Sequence, residues 1–195
     1  MAIPILSQLQ AIEQTATFRG RVNTFRTPGR AGTAGQKIFA LHNATGSAKT
    51  VYVKQIAVDF TCTVVKAVTV LPPLIRVCRF TALPTNGTAL TKVGKDTDLS
   101  SNASITAWGD ASADGTSSGT TLTVTIPANN VLTQEFAPRL ITAAGYEPFD
   151  RAMLVEDQQV ILRPLQGIVV FLDYVLATQN PVTDMWAVTA DWFEV

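Results

Sequence analysis

The chain holds few residues that could act as nucleophile, base or metal ligand. Its only histidine, His42, ends a strand-like stretch before a turn, and its two cysteines, Cys62 and Cys78, lie in apolar stretches. A Ser/His or Cys/His pair needs an imidazole beside the nucleophile, and no Gly-x-Ser-x-Gly elbow accompanies this one. One histidine and two cysteines also fall short of the four ligands of a structural zinc site. We therefore expect His42 to be a partly exposed strand-end residue, and we expect no catalytic residue, metal or other cofactor.

The two cysteines raise the question of a disulfide. Cys62 and Cys78 each fall in a stretch that predicts a strand, so a bond between neighbouring strands is geometrically possible. The N-terminal residues lack a basic segment ahead of an apolar run, which predicts no signal peptide and folding in a cytoplasm. Free, buried thiols are the favoured state in such a reducing compartment.

Two glycine-rich stretches share only their composition with phosphate-binding loops. In residues 29–37, Gln36 separates the last glycine from Lys37, and in residues 44–50, Ala48 stands where the second glycine belongs. Both stretches lead into predicted strands, whereas a phosphate loop presents its anion to a helix N-terminus. We interpret both as connecting loops.

Residues 110–115 look like the first half of a calcium-binding loop. Asp110 and Asp114 place carboxylates at spaced positions before Gly115. The second half departs from that pattern, because Thr121 occupies the position of the bidentate glutamate. The pattern favours an ordinary Asx-turn loop over a calcium site.

Paired carboxylates of the glycosidase kind are a further possibility. Seven acidic residues could meet in space, and the sequence singles out no two of them: Asp96, Asp98, Glu135, Glu147, Asp150, Glu156 and Asp157. Solvation at the surface is their expected role. A glycan hydrolase hidden in a β fold is therefore the weakest functional hypothesis.

The elements that must position these residues are mainly strands. Ile5, Leu9 and Ile12 recur at helical spacing behind Pro4, which predicts a short helix or arm within residues 1–14. From Thr15 onward the period changes to two, and apolar runs alternate with turn-forming clusters. We predict one all-β domain over residues 15–195, an antiparallel β-sandwich or jelly roll, without a second helix.

Three stretches predict the strongest strands. Residues 51–60 should place Tyr52, Ile56, Val58 and Phe60 on one face, opposite polar Gln55 and Asp59. Residues 168–176 alternate with apolar side chains on both faces, which indicates a strand covered on both sides. The last run should close the core with two indoles on a face formed by Trp186, Val188, Ala190 and Trp192.

Weaker strands and loops complete the prediction. The strands fall near residues 16–25, 36–42, 74–82, 103–108, 120–126, 138–142 and 159–163. About ten strands are enough for two packed sheets. The loops are residues 27–35, 84–88 and 109–119.

Charge and hydropathy narrow the choice of partners. Lys plus Arg and Asp plus Glu each total 15, so the formal net charge is zero, and charged residues make up 15% of the chain. That share is low against a usual value of about 25%. A nucleic-acid partner would require a basic excess, and a membrane span an apolar run of about 20 residues; we expect neither partner. Sparse charge favours association with copies of the chain.

Several segments resemble the small structural proteins encoded in the virion-assembly region of tailed bacteriophages. The carriers are the run Phe-Ala-Leu-His-Asn within residues 39–54, the run Ile-Arg-Val-Cys-Arg-Phe within 75–82, and residues 87–93, 162–167 and 186–194. The resemblance implies a β-sandwich that acts as a capsid cement or decoration protein on the virion. It further implies binding to the major capsid protein, often as a homotrimer, at the capsid surface rather than in the tail. It offers no active site.

The sequence suggests which residues make the assembly contacts. Candidates lie in the N-terminal arm, near the first strand and around the 109–119 loop: Ile3, Ile5, Leu6, Leu9, Arg19, Arg21, Arg26, Trp108, Asp110 and Asp114. A second hypothesis is a head-fibre or tail component that binds a host receptor or glycan. In that case Trp108 beside Asp110 would form a stacking platform for a sugar.

Overall fold

In a computed structural model, the chain folds into two antiparallel sheets that pack face to face. The strands of these sheets carry the period-two alternation of the sequence. The structure describes residues 5–24, 27–28, 35–62, 74–110, 121–128, 130–136, 148–154, 160–173 and 184–195. The predicted all-β sandwich is confirmed, while its assignment as a jelly roll stays a prediction. One helix, α1 (Ile5–Gln14), precedes the first strand, as the helical spacing predicts. A 3₁₀ turn, Thr45–Ser47, was not expected.

Among the described residues, sheet A has seven strands. In spatial order its path is β10 (Pro148–Leu154), β4 (Val51–Cys62), β13 (Asp184–Glu194), β1 (Phe18–Asn23) and β7 (Val93–Gly94). Two further strands lie off this path, β11 (Val160–Leu162) on β4 and β2 (Thr27–Pro28) on β13. Its central pair, β4 with β13, joins residue 51 to residue 194.

Sheet B has six strands in the part of the chain that the structure describes. Their spatial order is β6 (Thr88–Ala89), β8 (Ile105–Gly109), β3 (Gln36–Asn43), β12 (Gln166–Asp173), β5 (Leu74–Phe80) and β9 (Val131–Phe136). The central pair, β3 with β12, again joins distant parts of the chain. Because such pairs form only after a large loop closes, the fold rests on non-local contacts.

The core lies between the inner faces of the two sheets. Trp186, Val188, Ala190 and Trp192 of β13 are at most 1% exposed and belong to it, as the alternation predicts. From sheet B, Ile168, Val170 and Leu172 meet them. Fully burying one aliphatic side chain of this kind stabilises the folded state by about 1.5 to 3 kcal/mol.

The predicted face of β4 is wrong in its first half. The register with β13 steps from Gln55 opposite Asp191 to Val53 opposite Trp192, so Lys54 is an extra residue in a β-bulge. The bulge reverses the side-chain alternation, and Tyr52 lies on the outer face, stacked on Phe193 at 4.8 Å. Val51, Val53, Ile56 and Val58 form the buried face instead, and the side chain of Phe60 lies outside the description.

The outer face of sheet B carries a second apolar cluster. Val169 and Phe171 of β12 reach it, so both faces of that strand are covered, as predicted. The cover includes Leu122 and Val124 of the segment 121–128. This segment was predicted as a strand, but among the described residues it forms one bridge, between Thr85 and Thr123. The alternate apolar side chains of this segment therefore cover the outer face of sheet B, and the segment does not add a strand to that sheet.

The remaining differences from the prediction concern one strand that is not described and several strands that were not predicted. The strand expected at 138–142 lies outside the described residues. Five strands were not predicted: β2, which falls in an expected loop, β6, β7, β9 and β10. Three of these five are only two residues long, which is too short for any period to show.

Candidate functional site

The first predicted contact residues, Arg19 and Arg21, lie on the outer face of sheet A. Strand β1 alternates, so Phe18 and Val22 enter the core while the arginines face outward. Arg21 forms a bidentate salt bridge with the carboxylate of Asp191. Its Nε donates to Oδ1 at 2.8 Å and its Nη2 donates to Oδ2 at 3.0 Å. The Nζ of Lys95 lies 3.6 Å from the same carboxylate.

These ion pairs set the charge states of the group. Burial would raise the pKa of Asp191, but the Arg21 hydrogen bonds and the charges of Lys95 and Arg21 outweigh it and lower the pKa below its ordinary value. The Asp191 bond raises the pKa of Arg21. The side chain of Arg21 is 50% exposed, so it remains available to a partner from its solvent side.

An open groove of about 540 Å³ lies between the end of α1 and the segment after β7. Its walls are Gln14, Ala16, Arg19, Lys95, Asp96, Thr97 and Leu99. Arg19 Nη2 donates to the carbonyl oxygen of Glu13 at 2.6 Å, and Lys54 Nζ lies 3.0 Å from the carboxylate of Glu13. The fold therefore brings two predicted features together, the arm and the first arginine. Ile5, Leu6 and Leu9 belong to α1, whereas Ile3 and Arg26 lie outside the described residues.

The second predicted contact region, around Trp108, belongs to sheet B. Trp108 is partly buried against the outer apolar cluster, and its indole Nε1 donates to Thr106 Oγ1 at 3.1 Å. Asp110 is only 5% exposed, and its carboxylate accepts from Gln36 Nε2 at 2.8 Å and from the backbone N–H of Leu122 at 3.1 Å. This carboxylate joins the two ends of the 111–120 segment. Asp114 lies outside the described residues.

Among the residues that the structure describes, no three histidine, cysteine or acidic side chains converge to hold an ion. The carboxylate of Asp110 is instead engaged by an amide and a backbone N–H.

The lone histidine is buried, which corrects the prediction of a partly exposed residue. His42 is 2% exposed and stacks on Phe80, with 5.6 Å between ring centroids. Neither ring nitrogen has a hydrogen-bond partner in the described part of the chain. Burial lowers the pKa of His42, because a charged imidazole would have to lose its hydration.

Cys78 is also an interior residue, while the side chain of Cys62 lies outside the description. Cys78 is free and 1% exposed, in agreement with the expected buried thiol. Burial raises its pKa to about 11, against a smaller lowering effect from the charge of Arg76. Since the thiolate is the reactive form, this cysteine is held in its unreactive state.

A buried polar network at the end of β13 was missed by sequence reasoning. Glu194 is 1% exposed and accepts from the backbone N–H of Asn102 at 2.9 Å, from Trp192 Nε1 at 3.1 Å and from the Ser101 hydroxyl. Burial lowers the pKa of Lys92, and the charge of Glu194 opposes this shift. One more step of the β13 alternation, from 192 to 194, would have placed this glutamate on the inner face.

Apolar side chains are exposed at the outermost strands of both sheets. Val93 of β7 is 62% exposed, and Val131 and Leu132 of β9 are 42% and 37% exposed. The register between β5 and β9 shifts between Val77 and Cys78, which makes Leu132 an extra residue in a bulge. These positions were not among the predicted contacts.

Comparison of the chain with protein-family models, with curated proteins and with solved structures found no match. Within the described residues, no helix combines the length and the apolar character needed to cross a membrane.

Proposed function

We infer that this chain is a non-enzymatic structural protein of a tailed-phage virion, a cement protein that binds the capsid lattice and associates as a homotrimer. The observation that carries the proposal is the exposure of apolar side chains on the outermost strands of both sheets, at Val93, Val131 and Leu132. Apolar groups at a sheet edge are stabilised when a second chain covers them. A formal net charge of zero adds no long-range repulsion between copies.

The way these edges would be used follows from their shape. The bulge at Leu132 interrupts the regular spacing of β9, which disfavours simple addition of a strand from another chain. Contact through side chains is the better use of this edge. The half-exposed Arg21 and the groove beside Arg19 supply polar groups for the rim of such an interface.

The polar interior supports a structural role in the same way. His42, Cys78, Asp110 and Glu194 are all at most 5% exposed, and the two carboxylates are hydrogen-bonded within the domain. These side chains therefore act on the stability of the sandwich. In this proposal, contacts with other molecules are made by side chains at the surface.

The self-association part is tested by sedimentation equilibrium of the purified chain. We expect a trimer for the wild type, a monomer for Leu132→Lys, and a trimer for the control Leu83→Lys, since Leu83 is 59% exposed outside the strands. A monomeric wild type over the whole micromolar range would contradict the proposal. Equal dissociation of both variants would remove β9 from the interface.

The cement part is tested on particles. Release of the protein from purified virions should lower the temperature at which heads lose DNA, and adding back the wild-type chain should restore it. Adding back Leu132→Lys should restore it less. Heads that are equally stable with and without the protein would contradict a cement role.

A host-glycan or receptor role in a head fibre or tail is the alternative, and one observation favours it. The ring of Trp108 is only partly covered, so one part of it could stack on a sugar. Trp108→Ala should then abolish adsorption to host cells while heads keep their stability. Unchanged adsorption would contradict a role of Trp108 in binding a host glycan or receptor.

A further inference from the structure

Three cations are brought together on the outer face of sheet A, where β7 runs beside β1. The backbone N–H of Lys95 donates to the carbonyl oxygen of Arg19 at 2.7 Å, which continues the pairing of the two strands by one residue. Lys95 and Arg21 both contact the carboxylate of Asp191. Like charges that face each other across antiparallel strands are destabilising. An anion bound between Arg19 and Lys95 would reduce that repulsion.

The nearest acidic partner leaves much of this positive charge unbalanced. Arg21 holds both oxygens of Asp191, at 2.8 and 3.0 Å, and Lys95 Nζ lies farther from this carboxylate, at 3.6 Å. Among the described residues, Arg19 bonds to a backbone carbonyl oxygen, that of Glu13. The carbonyl groups at a helix end carry about half an elementary charge, which offsets only part of the charge of a guanidinium.

Two of the three cations line the open groove between the end of α1 and the segment after β7. Arg19 and Lys95 both contribute to its walls, and the side chain of Lys95 is 55% exposed. Gln14 adds an amide, and Leu99 adds an apolar surface that is 38% exposed. The volume, about 540 Å³, is typical of ligand sites. These walls are complementary to a carboxylate that has an apolar group beside it.

One acidic wall residue limits the kind of anion. Asp96 Oδ1 accepts from the backbone N–H of Asp98 at 3.0 Å, so a second negative charge stands in the groove. A nucleic-acid backbone carries a charge at every nucleotide and would bring further phosphates toward Asp96. A peptide can place one carboxylate between Arg19 and Lys95 without that repulsion. The groove therefore favours a peptide over a polyanion.

We propose that this groove binds an acidic peptide segment of a partner protein, with a carboxylate between Arg19 and Lys95 and an apolar side chain on Leu99. In the cement role, on which this inference rests, the segment belongs to the capsid protein. Charge-assisted hydrogen bonds from a guanidinium and an ammonium are stronger than those between neutral groups. The groove on sheet A then holds the chain to the lattice, while β9 on sheet B joins the copies of the chain.

A peptide titration tests the groove by itself. The probe is an acetylated, amidated hexapeptide of alternating glutamate and leucine, and the readout is the backbone amide NMR signals of the isotope-labelled chain. We expect saturable shifts at Ala16, Lys95, Thr97 and Leu99, which line the groove. The same peptide with glutamine in place of glutamate should bind about tenfold more weakly, since the charge-assisted bonds are lost.

Two variants of equal charge separate the groove from the general charge of the surface. Lys95→Gln removes the ammonium and should weaken binding of the glutamate peptide about tenfold. The control Arg163→Gln removes an exposed cation from the 163–166 turn, outside the groove walls, and should change the affinity by less than about twofold. Circular dichroism verifies that both variants are folded. Equal weakening in both would overturn the assignment to the groove.

The titration has three further outcomes that would overturn the site. One is the absence of saturable shifts, and another is equal binding of the glutamate and glutamine peptides. The third is displacement of the peptide by a short single-stranded DNA at a lower concentration, which would assign the groove to nucleic acid.

Adding the chain back to stripped virions separates this inference from the cement role. Lys95→Gln should remain a trimer, because β9 is unaltered, but it should need about tenfold more protein than Arg163→Gln to restore head stability. If the wild type restores stability and Lys95→Gln does so at the same concentration, the groove does not hold the capsid protein, while the cement role stands. If the wild type restores nothing, the cement role and the capsid protein as occupant both fail.

Discussion

The outer face of sheet A carries charges, whereas the outer face of sheet B carries a second apolar cluster. On sheet A, Arg21, Asp191 and Lys95 form an ion-pair group that remains in contact with solvent. On sheet B, Phe80 and Phe171 are covered by the 121–128 segment. The same fold therefore completes its two surfaces by different physical means.

Sheet B has an ion pair of its own, with Arg76 Nη2 3.3 Å from Asp173 Oδ2, but its outer face is mainly apolar. An ion pair with a half-exposed arginine loses little hydration, so this part of the outer face of sheet A can meet solvent at modest cost. An apolar face must be covered, and sheet B recruits a segment that forms one bridge to do so. We expect sheet A to respond to pH and sheet B to respond to loss of volume.

The largest effect should come from the interior that both sheets share. Trp192 is 1% exposed, so Trp192→Ala should lower the free energy of unfolding by about 3 to 5 kcal/mol through lost burial and a cavity. Chemical denaturation of the two proteins measures this. Trp192→Phe, which keeps a ring, should lose less, and a loss under about 1 kcal/mol for alanine would mean that the indole is not buried.

The cover of sheet B should come next. Leu122 is 1% exposed, and Leu122→Ala should cost about 2 to 3 kcal/mol, at the low end for buried leucines because its segment can settle inward. The same denaturation experiment applies. The matched control is Leu83→Ala, at an exposed leucine, which should change stability by less than about 0.5 kcal/mol. Equal losses at the two leucines would mean that the 121–128 segment covers nothing.

The ion-pair group of sheet A should have a smaller effect that depends on pH. Asp191→Asn should cost about 1 to 2 kcal/mol near neutral pH, since Arg21 is half exposed and solvent screens the pair. The folded pKa of Asp191 lies below its ordinary value of 3.8, so its contribution is complete above that value and is lost as the pH falls below it. The wild type and the variant should therefore converge in acid. A constant difference across the pH range would point to a packing effect.

The smallest effect should come from His42 beneath the cover of sheet B. Burial lowers its folded pKa below the ordinary value of 6.5, so the unfolded chain binds the proton first as the pH falls. Stability should decrease by at most about 1.4 kcal/mol per pH unit below that value. His42→Phe keeps a ring against Phe80 and should flatten the stability profile between about pH 7 and pH 5. A profile unchanged by the substitution would mean that other groups cause the acid sensitivity.

Sequence reasoning predicted the interior better than the candidate sites. The alternation in β12 and β13 correctly placed their core side chains, because a strand buried in the middle of a sheet has little freedom to change face. It failed at Tyr52, since the bulge at Lys54 depends on the pairing with β13 and leaves no mark in the local pattern. It also took Asp110 for a surface residue, because its partners Gln36 and Leu122 are far from it along the chain.

The sequence by itself determined the class of fold, the short helix ahead of the first strand, and the face of β13 that carries the two indoles. These depend on local spacing, and the period of a strand or helix is a local property. Tertiary structure decided the bulges, the covering of His42 and the hydrogen bonds of Glu194 to Ser101 and Asn102. Those features depend on which distant segments pair, and pairing is selected by the burial of the whole sandwich rather than by any one stretch of residues.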